Sequence, residues 1–64
     1  MNPPNVKTTV TDPETNITYQ ILAYRQLTPA EAKTSIVGFY RLLKKNRRPK
    51  PGETVTITTA IGRS

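Results

Sequence analysis

A two-layer α+β domain with the order strand, strand, helix, strand is the fold this sequence predicts. Three observations carry it. Apolar and polar residues alternate over 6–11, 17–25 and 54–61, which is the period of a half-buried strand. Between the last two of these runs, Ala32, Ile36, Phe39, Tyr40 and Leu43 recur every three or four positions, the period of a helix with one buried stripe. The chain has only 64 residues, 34% of them hydrophobic, and no Cys, so a second domain is excluded and any core is thin.

The first five residues, MNPPN, hold two prolines and no apolar period, and read as a disordered or loosely docked lead-in. The domain is expected to span 6–61, with 62–64 a short tail. In VKTTVT, residues 6–11, a pleated strand sends Val6, Thr8 and Val10 to one face and Lys7, Thr9 and Thr11 to the other. A chain reversal follows at Asp12-Pro13-Glu14-Thr15-Asn16, where Pro13 presets a turn φ and the Asp12 and Asn16 side chains can bond nearby backbone. The second strand then places Ile17, Tyr19, Ile21 and Ala23 inward, with Thr18, Gln20, Leu22 and Tyr24 outward. A β-hairpin results.

Thr28-Pro29-Ala30-Glu31 is a helix start. Thr28 can cap the first turn, Pro29 suits the first helical position, and Glu31 can bond back to the cap amide. Val37 and Leu42 flank the apolar stripe. Gly38, which costs a helix about 1 kcal/mol relative to Ala, reads as a place of close approach to the sheet. Lys44 and Lys45 suit the carbonyl end and Asn46 suits a left-handed terminator, so the helix is expected to stop near 46. RRPKPG, 47–52, can only be a loop. In the last strand Val55, Ile57, Thr59 and Ile61 face inward, and Thr54, Thr56, Thr58 and Ala60 outward.

A helix between the second and third strands is a crossover of right-handed sense. Placing the third strand beside the first gives a three-stranded, mainly antiparallel sheet of order 2-1-3, with one helix packed on one face. The third strand running parallel to the second is the arrangement left open. The uncovered sheet face then carries Thr9, Thr18, Gln20, Leu22, Tyr24, Thr54, Thr56 and Thr58. Leu22 and Tyr24 are its apolar members and a candidate partner surface, although such residues also occur singly on ordinary monomers.

Ten Lys and Arg against four acids give a formal charge of +6, which favours acidic partners, nucleic acid first. The absence of His and Cys removes the usual materials of metal sites and thiol chemistry. There is no glycine-rich phosphate loop and no nucleophile elbow, so neither an enzyme nor a cofactor is expected. The charge concentrates in Lys44, Lys45, Arg47, Arg48 and Lys50, with Arg41 one turn upstream and no acid among them. Complementing a helix dipole accounts for the two lysines at 44 and 45 but leaves Arg47, Arg48 and Lys50 to be explained.

Tyr19, Phe39 and Tyr40 fall on core-facing positions. Tyr24, with Arg25 beside it, is the remaining candidate for stacking on a base, which makes backbone contact a better-supported mode than base readout. The functional expectation is therefore a small basic, non-enzymatic binding module. It would contact nucleic-acid phosphates through the helix end and loop at 41–50, with help from Lys7, Arg25 and Lys33. The alternative is a protein-interaction adaptor or small subunit. That module would dock on an acidic protein, or pair with a second copy, through the basic lobe, the open face or a strand edge. No run approaches the roughly 18 apolar residues of a membrane span and no apolar leader opens the chain, so a cytoplasmic protein without membrane contact is expected.

Overall fold

The structure, a computed structural model, describes residues 3–43 and 47–63. Its elements follow the expected order: β1 (Val6–Thr11), β2 (Thr18–Ala23), α1 (Pro29–Leu42) and β3 (Thr54–Thr58). β1 and β2 form the antiparallel hairpin, from Val6 opposite Ala23 to Thr11 opposite Thr18. Its turn is closed by the Asp12 amide donating to the Ile17 carbonyl at 2.9 Å and the Asn16 amide to the Asp12 carbonyl at 2.7 Å. The Asp12 carboxylate accepts from the Glu14 amide at 2.9 Å. Asn16 takes a left-handed φ of 59°, which Asn tolerates better than most residues.

The sheet order is β1-β2-β3, which corrects the expected 2-1-3. β3 lies parallel to β2, from Thr18 opposite Thr54 to Leu22 opposite Thr58, and the sheet is mixed. The reason lies in β2 itself. Ile17, Tyr19, Ile21 and Ala23 are all buried, Ile21 and Ala23 completely, and the centre of a sheet is where the most apolar strand loses most surface. β1 brings Thr8 to its inner face and suits an edge. Pairing between β2 and β3 also runs past the strand ends: the Thr18 amide donates to the Glu53 carbonyl, the Thr59 amide to Leu22 and the Tyr24 amide to Ile61, at 2.9–3.0 Å. The sequence alternation over 17–25 and 54–61 follows this longer seam.

One layer of side chains fills the space between sheet and helix. Ile17, Tyr19, Ile21, Ala23, Leu27, Ala32 and Ile57 are buried, and Val10, Ile36, Phe39, Tyr40, Val55 and Ile61 pack around them. The inward face of each strand is the expected one. Leu27 lies in the loop after β2, outside any periodic run, and its amide donates to the Thr8 hydroxyl at 3.2 Å. That bond satisfies the buried Thr8 and holds Leu27 inside.

The helix departs from expectation at its end. It stops at Leu42, and Leu43 is extended at φ −80° and ψ 142° with its amide donating to the Tyr40 carbonyl at 3.3 Å. Asn46 lies outside the described residues. Phe39 and Tyr40 still pack on the core, but Leu42 is 89% exposed, so a further turn would have little beneath it. Terminal helical turns depend on tertiary packing, and here that support runs out. Gly38 also differs: it is exposed, and a Cβ added there would meet no atom within 4 Å, so it makes no close approach to the sheet. Between α1 and the hairpin lies an open, mostly apolar groove of about 550 Å³, bordered by Val10, Pro13, Tyr19, Ile36, Val37 and Tyr40. No helix among the described residues is long and apolar enough to cross a membrane.

Candidate nucleic-acid interface

β2 runs from the hairpin turn toward Leu27, and α1 returns toward the turn, so the C-terminus of the helix and the loop after it share one end of the sheet. Arg41 is the basic residue of the last helical turn. The loop is moored at that end by its backbone: the Gly52 amide donates to the Thr15 carbonyl at 3.2 Å and the Glu53 amide to the Lys50 carbonyl at 3.1 Å. Gly52 has φ 84°, a conformation that glycine enters without the Cβ penalty. Glu53 turns its carboxylate back on the chain, where it accepts from the Lys50 amide.

Arg41, Arg47, Arg48 and Lys50 are exposed. Their side chains make no hydrogen bond or ion pair among the described residues, in contrast to Arg25, which is paired with Glu31. Lys44 and Lys45, the other members of the tract, lie outside the described residues. Of the three helpers expected from the sequence, Arg25 is already engaged. Lys7 sits across from Leu22, roughly 13 Å along β2 from Thr18 at the lobe end of that strand. Lys33 is exposed on the helix.

The open sheet face is ordered in three rows: Lys7, Leu22, Thr58; Thr9, Gln20, Thr56; and Thr11, Thr18, Thr54. Leu22 is half-buried between a Lys and a Thr. Tyr24 is half-buried beyond the end of β2, where its amide is held by Ile61. The two therefore do not add up to a broad apolar patch.

The opposite end of the molecule is electrostatically closed. Arg25 forms a two-pronged pair with Glu31, Nη1 to Oε1 at 2.8 Å and Nη2 to Oε2 at 2.6 Å. Glu31 also accepts from the Thr28 amide at 3.0 Å, while the Thr28 hydroxyl accepts from the Glu31 amide at 3.2 Å, completing the expected capping box. The Arg25 guanidinium, and after it the Thr28 amide, lower the Glu31 carboxyl to about 2. The same pair raises Arg25. The sequence points Glu31 to the cap alone; the further signal is that a capping carboxylate keeps acceptor capacity for a nearby cation, here with Oε1 shared by Thr28 and Arg25 and Oε2 taken by Arg25. Gly62, at φ 85°, lies so close to Arg25 that a Cβ would come within 2.5 Å of its Cγ.

Inside the molecule, the Tyr19 and Tyr40 hydroxyls bond to each other, with the rings edge to face at 6.1 Å. Burial, and then this bond, pushes the Tyr19 phenol well above its ordinary range. Among the described residues, no group of three or more His, Cys, Asp or Glu is placed to hold a metal ion. No family model, no curated protein and no solved structure matches the chain.

Proposed function

We propose that the protein is a small basic, non-enzymatic module, working in the cytoplasm, that contacts the phosphate backbone of nucleic acid through Arg41, Lys44, Lys45, Arg47, Arg48 and Lys50. The observation that carries this reading is the contrast in how charges are partnered. Glu31 is held by Arg25 and Glu53 by the Lys50 amide, while four exposed cations at the lobe have no acidic partner among the described residues. Arginine forks suit phosphate oxygens, and the binding is driven by release of condensed counterions. If five of the six cations each neutralise one phosphate of a duplex, log affinity falls with log salt at a slope of about −4.5.

The test is an NMR titration of labelled protein with a mixed-sequence DNA duplex and with a single-stranded RNA, each at two salt concentrations. Salt-sensitive shifts concentrated at 41–50 are expected. Absence of shifts at low salt would overturn the reading.

A second reading has one observation in its favour, the apolar groove between α1 and the hairpin. On that reading the protein is an adaptor that seats a protein partner in this groove, with the partner's acidic groups meeting the basic lobe. Salt-tolerant binding with shifts at Ile36 and Tyr40 would then replace the pattern above.

A further inference from the structure

We infer that the outer face of α1, from Lys33 to Arg41, lies directly against the phosphate backbone, and that Gly38 is small so that it can. This rests on the nucleic-acid reading and extends it from the basic loop to the helix. Lys33, Thr34, Val37, Gly38 and Arg41 line a shallow depression of about 390 Å³ on that face, and all five are exposed. Glycine in a helix interior lowers stability relative to alanine, and such a residue is commonly kept for close packing within the fold. Here a Cβ would meet nothing within 4 Å, so packing within the protein gives no reason for it. The low point it creates is useful only to something approaching from outside.

The chemistry around the depression selects what approaches. The Thr34 hydroxyl donates to the Ala30 carbonyl at 3.0 Å, so its hydrogen is already committed. The donors left facing outward are Lys33 and Arg41, eight residues apart and so about 12 Å along the helix axis. Two cations at that separation meet different phosphates of one backbone. A protein partner would need larger apolar anchors than Val37, the one apolar side chain lining the depression.

The test measures fluorescence anisotropy of a labelled mixed-sequence DNA duplex with wild type, K33Q, G38A, G38L and the loop variant R47Q/R48Q/K50Q, with thermal melting of each protein alongside. G38A is expected to melt above wild type, and G38L to bind the duplex several-fold more weakly while remaining folded. K33Q is expected to make the salt slope shallower by about 0.9. If the loop variant loses affinity while K33Q and G38L bind as wild type does, the helix face is overturned and the loop reading stands. If wild type fails to bind duplex at low salt, both fall. Binding of polyglutamate as tight as that of duplex would overturn the backbone assignment in favour of an acidic protein.

Discussion

The two ends of α1 are built on opposite plans. At the N-terminus, the Thr28 amide and hydroxyl, both oxygens of Glu31 and the Arg25 fork each have a partner, and Leu27 is buried just before the first turn with its amide on Thr8. At the C-terminus, Leu42 stands almost fully in solvent, Leu43 is already extended, and Arg41 is exposed at the head of a run of cations. One end is completed by the chain's own groups, while at the other Arg41 has no acidic partner among the described residues. Substitutions at the first should register as stability, and at the second as binding.

The largest expected effect comes from Leu27→Ala, which empties a buried site and should cost about 3 kcal/mol, read as a lowered denaturation midpoint. A loss under about 1 kcal/mol would mean that the loop before the helix is not part of the core. Next is Gly62→Ala, which forces a left-handed alanine against Arg25 and should cost about 1–2 kcal/mol. An NMR spectrum in which the Arg25 and Glu31 signals stay put would show that the C-terminal turn does not brace that pair.

A smaller effect is expected from pH. Glu31 is lowered from an ordinary 4.5 to about 2, so its contribution is complete above pH 4.5 and is lost as pH falls toward 2. Thermal melts of wild type and Glu31→Gln should therefore converge across that window; parallel curves would show that the pair adds nothing. The smallest effect belongs to the open end. Leu42→Ser, at an 89% exposed position, should change stability by less than about 0.5 kcal/mol in a melting comparison. A larger loss there would erase the contrast between the two ends.

Much of this arrangement is legible in the sequence, because it is local. Alternation placed Tyr19, Ile21, Ala23 and Ile57 inward, and the Thr28 to Glu31 spacing gave the capping box. Sheet order was not legible in the same way, since it depends on where the crossover helix delivers β3. The available signal was the unbroken apolar inner face of β2, which marks a central strand. The helix end is not legible because Lys44, Lys45 and Asn46 describe how a helix could stop, whereas the last core contacts, at Phe39 and Tyr40, decide where it does. Leu27 escaped because a single apolar residue in a loop has no period. Of the candidate site, the concentration of charge was plain from composition. That Arg25 is already paired and Gly38 faces outward required the third dimension.

The parallel seating of β3 on β2 also sets an order of assembly. The hairpin closes over the six residues 12–17, whereas β3 must return across the thirty residues 24–53. The longer closure costs about 1.4 kcal/mol more in chain entropy. The hairpin should therefore lead in the folding transition state and β3 should join late. In stopped-flow kinetics, Ile57→Val should mainly speed unfolding, whereas Val10→Ala should slow folding. The last strand in the chain then acts as a latch whose release governs how long the folded protein survives.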